Sequence, residues 1–149
     1  MCAPDSTVGD HYQRSGFSYD EVFLLGRTPD SRSIVAHEKG RAIMDDIYED
    51  AYPAAPTCSG HKVDTASSAG CAWTEGFADW LPLAVHGTSV FKWQANSTYD
   101  LEPPTWNNAG FQDGDTVEGR VAGALLDLHD RRAESWDACA ENRTSVSGM

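Results

Sequence analysis

Ser33-Ile34-Val35-Ala36-His37-Glu38-Lys39-Gly40-Arg41-Ala42-Ile43-Met44-Asp45-Asp46-Ile47-Tyr48-Glu49-Asp50 decides how this chain is read. Ile34, His37, Glu38, Arg41, Met44, Asp45 and Tyr48 recur three or four residues apart, the period of one face of an α-helix. The helix is expected to run from Ser33 to Asp50. Thr28-Pro-Asp-Ser marks its entry, with Asp30 or Ser31 as N-cap, and Tyr52-Pro53 closes it, because the residue before proline is driven out of the helical region.

The chemistry of this helix lies on one face. Two histidines at i and i+4 can grip one zinc ion, and a glutamate beside the first can activate a water for hydrolysis. His37 and Glu38 hold those places, but the i+4 position is Arg41. On its own His-Glu-x-x-Arg says little, since a single helical histidine is ordinarily a packing or surface residue. Trp73-Thr74-Glu75-Gly76-Phe77-Ala78-Asp79-Trp80 gives it weight. Glu75 and Asp79 share a helical face inside an otherwise apolar, aromatic segment, where a solvated acidic face is a poor explanation. This second helix is expected over Ala72–Leu81, ended or kinked by Pro82. A third is expected from Asp115-Thr-Val-Glu118, which has capping-box spacing, with Val117, Val121, Ala124, Leu125 and Leu128 as its buried stripe.

His37-Glu38-Lys39-Gly40-Arg41-Ala-Ile-Met44 resembles the His-Glu-Tyr-Gly-His-x-x-Met helix of secreted bacterial gluzincin-type zinc metallopeptidases. Cys71-Ala-Trp-Thr-Glu75-Gly-Phe-Ala-Asp79-Trp80 is similar to their glutamate helix, and Asp113 to Leu128 is similar to the helix that follows; the likeness spans roughly residues 20 to 138. It implies a mainly α (α+β) fold, a zincin-like catalytic core with three main helices and a reduced sheet lobe. It implies that His37 is the first metal ligand, Glu38 the general base, Glu75 the third ligand, and Asp79 the carboxylate that orients His37. The expected activity is peptide-bond hydrolysis by a metal-activated water, with a peptide or protein as substrate. The alternative is a catalytically inactive homologue that serves as a binding or scaffold protein.

Arg41 departs from that pattern at the second ligand, and Lys39 stands where the pattern has tyrosine. A guanidinium stays protonated and offers no lone pair to a metal. Zinc is therefore expected to bind weakly or not at all. Without it, Glu38 and Glu75 would repel each other beside His37, and Arg41 is placed to pair with Glu75 first and Glu38 second. His61 is the best-placed substitute ligand by sequence, ahead of His86 and His129; each also reads as an ordinary surface histidine. Arg120 is open to two readings, oxyanion stabiliser or structural ion pair. Asp45-Asp46-Ile-Tyr-Glu49-Asp50 is open to two as well, a calcium site or a solvated helix end, and lacks the glycine turn of a dedicated calcium loop.

The remaining sequence bounds the function classes. A chain of 149 residues, 40% hydrophobic, with five Trp and five Phe, can bury a core as a single domain, residues 1–27 forming a partly irregular segment with one strand, Glu21–Leu25, that ends at Gly26. A net charge of −12 argues against nucleic acid and anionic membranes. No apolar run is long enough to span a bilayer. A monomer is expected. Met1-Cys-Ala-Pro-Asp has neither the basic start nor the apolar run of a signal peptide, so the chain reads as a mature or trimmed form of a secreted protein. Residues 87–114 read as loop with one short strand near Val90–Trp93. Asn96-Ser-Thr98 and Asn142-Arg-Thr144 fit the glycosylation sequon. Cys2, Cys58, Cys71 and Cys139 allow three pairings, besides free thiols in a reducing compartment. Cys58–Cys71 is the expected pair: it would close a loop of about 14 residues, stabilising by roughly 3 kcal/mol in the chain-entropy model, and would hold the Glu75 helix against the His37 helix.

Overall fold

Ser31 opens the first helix: its side chain accepts the Ile34 amide at 3.3 Å, and α1 runs Arg32–Ile47. In this computed structural model, residues 11–13, 21–24, 31–49, 51, 53–54, 58–94, 97–103 and 111–130 are described. Cys2, Leu25, Gly26, Thr28, Asp30, Asp50, Tyr52, Asn96, Cys139 and Asn142, all singled out above, lie outside them. Upstream, β1 (His11–Gln13) pairs antiparallel with β2 (Glu21–Phe23), His11 opposite Phe23. The helix stops three residues short of the expected end. Tyr48 caps it by donating its amide to the Met44 carbonyl at 2.9 Å, and Glu49 then turns left-handed at φ 49°.

The second helix, α2, spans Ala69–His86 and is longer than expected at both ends. Ser68 caps its start by accepting the Cys71 amide at 3.2 Å. Pro82 lies inside the helix instead of ending it. An interior proline forfeits the amide that would bond one turn back and crowds the carbonyl four residues earlier. Continuing the helix offsets this by placing Leu83, fully buried, in the core. Gly87 ends α2 in the left-handed conformation at φ 62°.

A hairpin follows, its second strand unforeseen: β3 (Val90–Gln94) pairs antiparallel with β4 (Ser97–Asp100), Phe91 opposite Tyr99, with a bulge between Lys92 and Gln94. The Ser31 hydroxyl donates to the Lys92 carbonyl, and the Lys92 amide donates to Ser33 Oγ, both at 3.2 Å, so β3 is fastened to the entry of α1.

The third helix, α3, spans Glu118–His129. Two expectations fail here. The helix starts later than a capping box at Asp115 requires: Val117 is the N-cap, its hydrocarbon side chain can accept no cap bond, and the Glu118 carboxylate is held by His61 instead. Val117 is fully buried as expected, but the rest of the stripe is rotated: Gly119, Ala122, Gly123 and Leu126 face inward, while Ala124 is exposed and Leu128 is 71% exposed. Small residues are needed on this face, since a Cβ on Gly119 or Gly123 would lie 2.7 Å from the carbonyl oxygen of Val63 or Leu101, and the facing side of α2 is equally tight. A Cβ on Gly76 of α2 would come within 2.7 Å of both the Glu118 carbonyl oxygen and Val121 Cβ. Gly76→Ala is therefore expected to destabilise by about 1–3 kcal/mol through overpacking. Urea denaturation showing no change would mean the α2–α3 contact relaxes freely.

Among the described residues, three helices and two small two-stranded sheets make a mainly helical α+β structure. Leu83, Phe91, Leu101, Ala122 and Leu126 form the core, with Val63, Trp80, Tyr99 and Phe111 packed against it. Among the described residues, no helix is long and apolar enough to cross a membrane. Cys58 and Cys71 form the expected disulfide, which ties the loop before α2 to that helix's first turns and fits an oxidising, extracellular setting. Replacing both cysteines with serine is expected to cost about 3 kcal/mol and lower Tm by roughly 6–12 °C. A melt unchanged from the oxidised protein would show that the bridge adds nothing.

Candidate functional site

His37 and Arg41 stand one helical turn apart on α1, and Glu75 and Asp79 one turn apart on α2. Gly40 lets these faces meet: a Cβ there would lie 3.1 Å from the Ala78 backbone. His37, Glu38, Glu75 and Asp79 are all buried. His37 Nδ1 lies 2.8 Å from Asp79 Oδ1, and its Nε2 lies 3.3 Å from Glu75 Oε2. Phe91 and Trp93 of β3 stand edge-on to the imidazole, with centroids at 6.1 and 6.3 Å.

Glu75 is the hub of the cluster. Arg41 Nη1 lies 3.0 Å from its Oε1 and 3.3 Å from its Oε2, with the arginine side chain 31% exposed. His61 Nε2 approaches Oε2 at 3.8 Å, while His61 Nδ1 bonds Glu118 Oε2 at 2.6 Å. Cys58 Sγ sits 3.6 Å from Glu75 Oε1. This is a packing contact, because a bridged sulfur has no proton to donate.

The electrostatics follow from these contacts. Burial alone would drive His37 neutral, but hydrogen bonds and charges from Asp79 and Glu75 raise its pKa to about 10, so the metal-free site holds an imidazolium. Burial alone would likewise protonate Glu75; His37, Arg41 and His61 reverse this and hold its pKa below the usual value. The bond to Glu118 raises His61. Burial raises Glu118, only partly offset by His61.

A cavity of about 400 Å³ opens beside the cluster, its walls including His61, Asp79, Glu118, Phe91, Trp93 and Tyr99. Glu38, buried next to His37, is not among them. A larger cavity of about 500 Å³ on the outer side of α3 shares no wall with the cluster. Arg120 belongs to that second cavity; its Nη2 donates to Asp113 Oδ1 at 2.8 Å and its Nε to the Gln112 carbonyl at 2.6 Å, the structural ion pair of its two readings. His86 is exposed at the end of α2, and His129 stacks edge-on against Trp80. The acidic run of α1 divides, with Asp45 buried and Asp46 and Glu49 exposed.

The donor set can be tested against zinc directly. In a tetrahedral site with bonds of about 2.0–2.1 Å, neighbouring donor atoms lie roughly 3.3 Å apart. His37 Nε2 and Glu75 Oε2 have that separation, and Asp79 behind Nδ1 is the usual support of a ligating histidine. Arg41 contributes nothing to such a set. Among the described residues, no three His, Cys, Asp or Glu side chains already close around one point. The pair His37–Glu75 therefore fits a zinc ion, with a further ligand required.

The sequence ranks His61 first among substitute ligands but does not link it to Glu118, which reads there as part of a helix cap. The one local signal was a glutamate heading a helix whose next residue is a buried glycine. The family model of the mycolysin C-terminal domain matches residues 2–148. No curated protein and no solved structure matches the chain.

Proposed function

We propose, on the premise that the chain belongs to the mycolysin C-terminal domain family, that the His37–Glu75–Asp79 cluster is a gluzincin-type peptidase centre. On this reading α1, α2, α3 and the β3–β4 hairpin are a zincin-like catalytic core with a reduced sheet lobe. The observation that carries it is His37 Nε2 at 3.3 Å from Glu75 Oε2, with Asp79 fixing the far side of the same ring.

His37 and Glu75 would hold the metal. Zinc bound there supplies a Lewis acid and an activated water. Asp79 fixes the tautomer and plane of His37, so that Nε2 faces Glu75. Glu38, next in the chain to His37, is the general base of this scheme. The adjoining cavity, with Phe91, Trp93 and Tyr99 in its walls, takes the peptide and sheds water from the site. Arg41 favours a second reading as well, an inactive homologue that keeps the fold and binds peptide, because its guanidinium already supplies Glu75 with a cation.

Hydrolysis of denatured casein by wild type and Arg41→His, with zinc and with chelator, separates the two. Chelator-sensitive cleavage by Arg41→His, with wild type slower by at least ~100-fold, is expected from the peptidase reading. An Arg41→His protein that binds zinc yet cleaves nothing would favour the binding protein. One that neither binds zinc nor cleaves would refute the metal centre.

A further inference from the structure

Glu75 is shared by one guanidinium and two imidazoles. Arg41 Nη1 lies 3.0 Å from Oε1 and 3.3 Å from Oε2. Oε2 is approached by two imidazole nitrogens, His37 Nε2 at 3.3 Å and His61 Nε2 at 3.8 Å. Each imidazole is backed by a buried carboxylate on its other nitrogen, Asp79 Oδ1 at 2.8 Å for His37 and Glu118 Oε2 at 2.6 Å for His61. With Nδ1 committed in both rings, the Nε2 edges are the ones left to bind a cation, and both are turned to the same oxygen. A carboxylate behind each histidine is the arrangement that orients ligating imidazoles.

His61 is also held in place along the chain. Its amide bonds the Cys58 carbonyl at 3.4 Å, three residues from the bridge to Cys71. Two residues on, the Val63 carbonyl accepts the Gly119 amide at 2.9 Å. The loop is thus anchored to α2 on one side and α3 on the other.

From this geometry we infer that His61 replaces the imidazole missing at position 41, and that the chain binds one divalent zinc-like cation through His37 Nε2, His61 Nε2 and Glu75 Oε2. The site is displaced from the Arg41 side of Glu75 to the His61 side. The inference rests on the reading of His37 and Glu75 as metal ligands, and assigns the ligand which that reading leaves open. Closing the His61–Glu75 separation from 3.8 Å toward the ~3.3 Å of a tetrahedral edge needs only a small shift of the His61 side chain. Arg41 can keep its contact with Oε1, but a cation on Oε2 displaces the 3.3 Å bond it makes there, and its charge opposes binding.

Co²⁺ titration of the full chain, followed by visible absorption and calorimetry, tests this on four proteins: wild type, Arg41→Ala, Arg41→Ala/His61→Ala and Arg41→Ala/Glu118→Gln. Arg41→Ala is expected to bind one Co²⁺ per chain, at least ~10-fold more tightly than wild type. Adding His61→Ala should weaken that by more than ~100-fold, and adding Glu118→Gln by ~10–100-fold. As a check independent of folding, Co²⁺-loaded Arg41→Ala should show two hyperfine-shifted imidazole N–H protons, from the Nδ1 atoms of His37 and His61. A single shifted proton, an affinity indifferent to His61→Ala, or no Co²⁺ uptake by Arg41→Ala would each overturn the inference. If Arg41→His takes up metal in any of those cases, the peptidase-centre reading stands and only the role of His61 is lost. If Arg41→His takes up none, both fall.

Discussion

Arg41→His is expected to raise the zinc affinity of this chain by at least ~100-fold. Losing a residue that merely orients a metal ligand already costs 10–100-fold, and here a whole ligand is regained. The substitution acts twice. It removes a permanent positive charge 3.0 Å from Glu75 Oε1, and it places a lone pair one helical turn from His37. Because α1 and α2 already meet closely at Gly40, the new imidazole needs no rearrangement of the backbone to face Glu75. Elemental analysis after dialysis checks this: about one zinc per chain in Arg41→His against a small fraction in wild type. Equal zinc in the two proteins would show either that position 41 does not face the metal or that wild type is already saturated through other donors.

Glu75→Gln is expected to destabilise the metal-free protein by about 3–5 kcal/mol, the cost of removing one partner from a buried charged cluster. The glutamate is almost fully buried and is the shared anion for His37, Arg41 and His61. Its amide replacement keeps the shape and removes the charge, leaving a buried imidazolium and a half-buried guanidinium side by side. Arg41→Ala should cost less, about 1–2 kcal/mol, because its side chain is partly solvated and water can replace part of its interaction. The difference between the two is the informative quantity. Urea denaturation in the presence of chelator measures both, and a loss under about 1 kcal/mol for Glu75→Gln would mean that the cluster contributes little to the fold.

Much of the site was readable from spacing. On a helix, residues three or four apart share a face whatever surrounds it, so His37 with Arg41 and Glu75 with Asp79 could be paired before any tertiary contact was known. The contact between Arg41 and Glu75 follows once the two faces are set opposite each other, as Arg41 Nη1 at 3.0 Å from Oε1 shows. The Cys58–Cys71 bridge belongs to the same class, because its loop is short and local. His61 and Glu118 do not. They are 57 residues apart, and neither the loop around His61 nor the head of α3 carries a periodic pattern that aims it at Glu75.

Taken alone, then, the sequence located the three helices, narrowed the first cap to Asp30 or Ser31, favoured the Cys58–Cys71 pair, and set which polar residues share a helical face. These depend on local backbone preference and on a fixed period of 3.6 residues. The tertiary structure decided what local preference leaves undetermined. It carried α2 through Pro82, because burying Leu83 offsets the proline's lost hydrogen bond and crowding. It turned α3 on its glycine and alanine face, because Cβ atoms on Gly119 and Gly123 would collide with the Val63 loop, Phe111 and Leu101. That rotation buries Glu118 beside His61, which in turn places a second imidazole at Glu75 Oε2. Helical periodicity names the faces of a helix, but only the close packing of its neighbours selects the face that is buried.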